Sequence, residues 1–420
     1  MRQSRNSVRS LPQFCAQSCI QALNHSNLNL SGLLYFGANE HEERSQMSAG
    51  RRRFVAGLGL AAAGLGLAKP ALADANPDVH WRMTSSFQPS LDLIFGGAQT
   101  FAKALADMTD GHFTVVVSPA GEIAPALEAL DAVSKGTVEC AHSALHYYWS
   151  KDPSFAFGSS TPFGMNARQH AAWLNEGGGN QLIDEFLADR NVFALPAGNT
   201  GGQMAGWFRK EVHAPGDFQG LKMRIGGFAG KIFQTLGAEP AATPKDGIYP
   251  ALESGALDAM EWVGPYDDEK FGERKEGDRL NLSKVAPFYY YPGWWKGGMQ
   301  LHLIVDRAKF DALPKSYQAA FRAAAALAHS SMQEKYDALN PGALKRLVVG
   351  GAELRLFPQD VIEACYKTAN DLYTQLGGEN PKFKKIADSY MAFRADQYLW
   401  WQVAEYSFDN FMIRQRRAKS

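Results

Sequence analysis

From residue 79 onward, the apolar positions switch repeatedly between the two-residue period of a strand and the 3.6-residue period of a helix. VHWRMTSSF (79–87) is strand-like, and LIFGGAQTFAKALADMT (93–109) spaces its apolar residues as a helix does. After the Asp110-Gly111 turn, FTVVVSP is a strand rich in β-branched residues. IAPALEALDAVSKG then reads as a helix and TVECAHSA as a further short strand. This β-α-β-α-β order predicts a parallel sheet with helices on both faces.

The alternation resumes at NVFALPA (191–197), a strand, followed by the glycine-rich turn GNTGGQ (198–203). LKMRI is a short strand, FAGKIFQTLG a helix ended by Gly237, and GIYPALESG followed by ALDAMEWVG repeats the helix-to-strand step. From about residue 307 the chain turns helical. KSYQAAFRAAAALAHSSMQEKYDAL (315–339) carries a long apolar stripe, and further helices are expected near 358–376 and 384–415. The last contains QYLWWQVAEYSFDNFMIR, whose aromatics recur at helical spacing. Such a stripe is expected to be buried, in the core or against another subunit. There is no flexible linker and no solenoid repeat, so two α/β lobes joined by several chain crossings are expected, an arrangement suited to a hinged ligand trap.

The N-terminus does not belong to this pattern. Arg51-Arg52-Arg53-Phe54 precedes VAGLGLAAAGLGLA, and Ala71-Leu72-Ala73 then supplies small residues of the kind a signal peptidase accepts. An apolar run of about 14 residues is short for a membrane span. With paired arginines before the Phe, residues 47–73 read as a twin-arginine export signal. Met47 is then the expected start, residues 1–46 a mis-annotated extension, and the mature chain begins near Asp74.

Composition supports a globular chain: of 420 residues, 45% are hydrophobic and 20% charged, with formal net charge zero. Removing residues 1–73 takes away 8 Lys/Arg and 3 Asp/Glu and leaves a charge of −5, which gives no support to nucleic-acid binding. Of the four cysteines, only Cys140 and Cys365 lie in the mature part. Their spacing is not that of a metal site, and two buried thiols are expected rather than a disulfide.

Candidate chemistry is sparse. GNTGGQ matches neither GxGxxG nor GxxxxGK[ST], and neither G-x-S-x-G nor H-E-x-x-H occurs. His142 and His146 are four apart but have no third ligand in view, and a structural role is expected for both. Arg224, at the end of a predicted strand and before two glycines, can clamp a carboxylate through two parallel hydrogen bonds; a surface salt bridge is its plainer role. Glu261 lies between Met260 and Trp262 at the end of another predicted strand, where a desolvated carboxylate needs a partner. Asp267-Asp268-Glu269 is expected to be a solvated helix start.

These stretches together resemble the DctP-type solute receptors of tripartite ATP-independent periplasmic (TRAP) transporters. KMRIGGFAG, GIYPALESGALDAMEWVGPYDDEK and KVAPFYYYPGWWKGG look most like the branch that binds 2-oxo acids and related small carboxylates. HYYWSKDPSFAFGSSTPFGM and GNTGGQMAGWF also fit, and the similarity runs from about residue 78 to the C-terminus.

The resemblance implies a two-lobed, type II-like periplasmic binding protein fold with an interdomain cleft and long C-terminal helices. Lobe I is expected over 77–200 and 286–330, lobe II over 201–285 and 331–383, and a C-terminal helix over 384–420. A receptor of this kind performs no chemistry. It closes over its ligand in the periplasm and delivers it to a membrane permease driven by an ion gradient. Arg224 matches the arginine that pairs with the ligand carboxylate, and Trp262 and Trp295 are expected to pack on the apolar part. Tyr147, Tyr148 and Asn199 fall in stretches that line the family's pocket. In this branch a metal ion bridges protein and ligand, and its ligands match Gln203, the Glu261 side chain and the Trp262 backbone carbonyl. Homodimers joined by a swapped C-terminal helix also occur in the branch.

The chain departs from the branch in two places. GERKEGDRL (272–280) looks like an inserted, highly charged loop. After the paired tryptophans the branch has a glutamate that serves as a further metal ligand, and here it is Lys296. A sodium or calcium ion needs oxygen donors, and a neighbouring ammonium repels it. Lys296 is therefore expected to take the metal's place, pairing with Glu261 and with the ligand. Alternatively it points outward and the metal site persists with fewer protein ligands. No other cofactor is expected. Two further readings stay open: a receptor for another anion such as an aromatic acid, and an exported enzyme using Glu261 and Lys296 as an acid/base pair. No nucleophile or cofactor motif supports the second.

Overall fold

A computed structural model describes residues 77–417, apart from 242, 244 and 272–280. The signal-peptide reading, the expected start at Met47 and the charged loop at 272–280 lie outside the described residues. In chain order the strands are β1 (Val79–Ser85), β2 (Phe113–Ser118), β3 (Cys140–Ser143), β4 (Val192–Asn199), β5 (Gly206–Phe208) and β6 (Lys222–Arg224). There follow β7 (Glu239–Ala241), β8 (Ala259–Met260), β9 (Phe288–Tyr291), β10 (Gln300–Asp306) and β11 (Glu353–Leu356). They form two sheets, ordered β2-β1-β3-β10-β4 and β11-β9-β5-β8-β6-β7.

The first sheet is parallel only in part. β1 pairs in parallel with β2 and β3, with the Asp92–Met108 and Ala129–Ser134 helices as crossovers, as the alternating pattern predicts. β10 enters antiparallel between β3 and β4, so the sheet as a whole is mixed. It does not arrive by a β-α-β crossover; it comes directly from β9 of the second sheet, so its direction is free to reverse. β9 itself pairs with β5 and β11. A lobe boundary at 286 therefore falls too early, and the crossing lies between Tyr291 and Gln300. Another crossing lies between β4 and β5. These two connections carry Lys296 and Gln203 across from one sheet to the other.

Helices tie the two sheets together. The Lys315–Val349 helix is ten residues longer than its apolar stripe suggests and continues past Pro341. Its first half packs Phe321, Ala324, Ala325 and Ala328 into the core behind the first sheet, against Phe101 and Leu105 of the Asp92–Met108 helix. Its second half reaches the Pro265–Lys270 helix beside the second sheet. The Gln359–Glu379 helix lies on the Gly227–Thr235 helix, and the chain then returns as Pro381–Trp401, started by Asn380, whose side chain accepts from Phe383 N–H.

The expected 384–415 helix is two segments, Pro381–Trp401 and Ser407–Arg417, joined by a π turn over Gln402–Tyr406. Its aromatic stripe is not in the core of this chain. Trp400, Tyr406, Phe408 and Phe411 are all more than half exposed, whereas Trp401 is held under the Arg168 guanidinium, 4.3 Å from the ring centroid. Arg168 also pairs with Glu405. Cys140 and Cys365 are buried free thiols, the Cys365 thiol pushed up to about 12 by burial. Among the described residues no helix is long and apolar enough to cross a membrane.

Candidate functional site

A cavity of about 640 Å³ opens between the two sheets, lined by residues from both. Pairing of β6 with β8 sets Arg224 against Met260, and Glu261 N–H donates to the Arg224 carbonyl at 3.1 Å. Strand register thus brings the arginine and the carboxylate side by side. Arg224 Nη1 donates to the Glu261 carbonyl at 2.7 Å and to Glu261 Oε2 at 3.2 Å. Its guanidinium carbon stands 5.2 Å from the centre of the Trp262 ring. Nε and Nη2 make no bond to a described residue.

Lys296 completes the cluster. Its Nζ donates to Glu261 Oε1, so both carboxylate oxygens meet a cation. The backbone fixes its place: Lys296 N–H donates to the Gly293 carbonyl at 2.9 Å, and Gln203 N–H donates to the Lys296 carbonyl at 3.2 Å. This close meeting of the two crossings requires glycine at 293, where a Cβ would stand 2.6 Å from the Gln203 carbonyl oxygen. The Glu261 side chain is 6% exposed and that of Lys296 13%. Breaking such a pair from one side leaves an uncompensated buried charge, which is why the cluster is expected to stay intact. One carboxylate between two cations has a formal charge of +1.

The sequence-derived candidates divide into two groups. Tyr147, Arg224, Glu261, Trp262, Trp295 and Lys296 all line the cavity. Tyr148, Asn199 and Gln203 do not. Tyr148 is turned into the core, donating to Ser143 Oγ at 2.9 Å and accepting from Leu130 N–H at 3.0 Å, because successive residues of the 3-10 turn Leu145–Tyr148 point about a third of a turn apart, so not all of them can face the cavity. Asn199 is fully buried; it donates to Gln300 Oε1 and accepts from Gly201 N–H at 2.9 Å, and so shapes the turn. Gln203 donates to Thr200 Oγ1, and its buried Oε1 has no partner among the described residues.

His146 was missed. Its ring lines the cavity, whereas His142 is fully buried near Ser85 and is pushed down to about 4 by that burial. Burial, with the Lys296 charge adding to it, also holds His146 well below the ordinary histidine value. Burial raises the Tyr147 hydroxyl to about 12. Trp149 from the first-sheet side stacks on Phe228 from the second at 4.7 Å, closing one flank of the cavity.

The acidic run also differs from expectation. Asp267 and Asp268 do open a helix, Pro265–Lys270, but both are buried, because that helix is wedged between the second sheet and the Lys315–Val349 helix. Tyr336 OH donates to Asp267 at 2.7 Å. Asp268 accepts from Trp207 Nε1, Tyr289 OH and Val263 N–H, the last beside the cavity-lining Trp262.

This site stands in a recognisable frame. The family model for bacterial extracellular solute-binding protein, family 7 (DctP), matches residues 84–379. The chain belongs to this family. It is 45% identical over 335 residues to the monocarboxylate 2-oxoacid-binding periplasmic protein of Nostoc sp. (strain PCC 7120), covering 80% of this chain and 89% of that protein. A TRAP transporter solute binding protein from Bordetella bronchiseptica RB50 is 43% identical, with a TM-score of 0.77 over 82% of this chain and all of that one. It is a mixed-occupancy dimer with calcium and picolinate in one site and an apo second site. A TRAP periplasmic solute binding protein from Colwellia psychrerythraea, with calcium and pyruvate bound, is 30% identical, with a TM-score of 0.75 over 79% of this chain and 99% of that one.

The Bordetella and Colwellia relatives have calcium bound, and the residues here do not fit a cation. Both Glu261 oxygens already face cations, one of them the Lys296 ammonium, which repels a metal ion. Gln203 Oε1 suits a cation, but one neutral oxygen does not offset two positive side chains. Among the described residues no group of three or more His, Cys, Asp or Glu is arranged to hold a metal.

Proposed function

We propose that this chain is the extracytoplasmic receptor of a TRAP transporter for a small organic monocarboxylate, a 2-oxo or 2-hydroxy acid. It holds the ligand without a metal ion. The observation that carries this reading is the Arg224–Glu261–Lys296 cluster, a net single positive charge inside an otherwise largely apolar cavity. One such charge complements one carboxylate. The free Nε–Nη2 edge of Arg224 offers the parallel donors that a carboxylate prefers, and Lys296 supplies a second cation of the protein's own, where the Bordetella and Colwellia relatives have calcium bound along with their ligand. Trp262 and Trp295 pack on the ligand's apolar part.

Closure of the two sheets' lobes about the 200–205 and 292–299 crossings traps the ligand, which passes unchanged to the permease subunits. Export to the periplasm uses the twin-arginine signal at 47–73. The exposed aromatic stripe at 398–413 is covered by a second copy of the chain, in keeping with the dimer of the Bordetella relative. A second ligand reading, an aromatic acid, is favoured by the rings of Phe87, Tyr147, Trp149 and Phe228 in the cavity lining.

Mass spectrometry of small molecules released from the purified protein tests the reading. A monocarboxylate in stoichiometric amount, chemically unaltered, is expected. Arg224→Met should lower its affinity by roughly 10- to 100-fold, the worth of a charge-assisted bidentate contact. Release of a neutral or cationic compound would contradict the proposal.

A further inference from the structure

Unlike the charged cluster, His146 shows a directional preference. Its Nδ1 lies 2.9 Å from Ser159 Oγ. The single Ser159 hydroxyl proton goes to the Gln300 carbonyl at 2.7 Å, and Gln300 N–H donates back to the Ser159 carbonyl at 3.1 Å. Ser159 can therefore only accept from the histidine. The proton of the neutral ring is fixed on Nδ1, and Nε2 carries a lone pair. The Tyr147 ring meets the imidazole edge-on at 4.8 Å and holds its orientation. Nε2 has no partner among the described residues, and the ring lines the same cavity as Lys296 and Arg224. Burial and the nearby Lys296 charge oppose a second proton on the ring, so the acceptor persists at neutral pH.

We propose that His146 makes this site selective for a carboxylate with a hydrogen-bond donor on the adjacent carbon: a 2-hydroxy acid over the 2-oxo acid of the same skeleton. This rests on the carboxylate reading above. His146, Lys296 and Arg224 line one cavity, so with the carboxylate on Arg224 the C2 oxygen is assigned to a donor, Lys296 Nζ, and an acceptor, His146 Nε2. A hydroxyl satisfies both, accepting from the lysine and donating to the histidine. A keto oxygen can only accept, and it leaves Nε2 unpaired in a closed, dewatered cleft. Leaving a buried neutral acceptor unpaired costs roughly tenfold in affinity, or more.

The test is titration calorimetry on the purified receptor with two matched pairs: each enantiomer of lactate against pyruvate, and each enantiomer of 2-hydroxy-4-methylpentanoate against its 2-oxo counterpart. In at least one pair a hydroxy enantiomer should bind about tenfold more tightly than the oxo acid. His146→Phe should collapse that ratio toward one, with thermal melting used to confirm folding. Ser159→Ala keeps the imidazole but frees its tautomer, and should shrink the ratio too; it decides the matter if the phenylalanine variant does not fold. Equal or tighter binding of both oxo acids by the unaltered receptor, or a ratio that survives these variants, overturns the selectivity alone. If neither pair binds at all, the carboxylate reading fails and this inference falls with it.

Discussion

At the scale of single residues, the account turns on Lys296. The sequence shows a lysine where a carboxylate is expected, and electrostatics alone then predicts a partner for it; the structure supplies Glu261. Chemical type was legible here because a charge among tryptophans must be compensated. Direction was not. Nothing in HYYW tells which of two adjacent tyrosines faces the cavity, and GNTGGQ does not reveal that Asn199 bonds to Gly201 and Gln300 or that Gln203 donates to Thr200. That His146 faces the cavity was not legible for the same reason, since its ring is oriented by Ser159 and Gln300, neither adjacent in sequence. Lys296→Met leaves Glu261 with Arg224 alone and a cluster of zero charge. Carboxylate affinity is expected to fall by about tenfold or more in calorimetry; unchanged affinity would place Lys296 outside the site. Lys296→Glu should make binding calcium-dependent if the oxygens around it can complete a site.

At the scale of elements, long periodic segments were legible and pairings were not. The Asp92–Met108 helix follows the apolar pattern closely because it buries one face against its neighbours, whereas β3 and β4 are buried on both faces and read as short apolar runs. The antiparallel insertion of β10 is a tertiary matter that local period cannot encode. The Pro265–Lys270 helix has a measurable consequence. Burial raises Asp267 to about 7 and Asp268 to about 6, although Tyr336, Tyr289 and Trp207 donate to them. A carboxyl raised in the folded state contributes stability that is complete below the ordinary value near 3.9 and is lost as pH rises through about 7. Buried His142 and His170, pushed down to about 4, act oppositely: their contribution is present above about 6.5 and is lost as pH falls through about 4. The two trends overlap, so the informative quantity is a difference. Asp267→Asn mimics the protonated acid, and its melting temperature should exceed that of the unaltered protein by a few degrees at pH 8, with a smaller lead at pH 5. A lead independent of pH would show that Asp267 does not titrate in this range.

At the scale of the whole molecule, two sheets tied by the Lys315–Val349 helix and two short crossings frame a cavity lined by residues from both. The architecture was legible from alternating periods and the absence of a linker; the strand on which the chain changes sheets was not. The C-terminal stripe could be seen to need a cover, but the sequence could not say which. Because Trp400, Tyr406, Phe408 and Phe411 are exposed in one chain, the purified receptor is expected to sediment as a dimer at micromolar concentration. Replacing Trp400 and Phe411 together with glutamate should yield monomers; a wild-type monomer at all concentrations would contradict the second-copy reading.

The central claim is that a side chain of the protein supplies the cation that holds the ligand carboxylate. It is tested most directly by titrating pyruvate and lactate into receptor stripped with chelator and checked by elemental analysis. The account predicts binding whose affinity is unchanged when calcium or sodium is added back. Binding that vanishes on stripping and returns with either ion would contradict it.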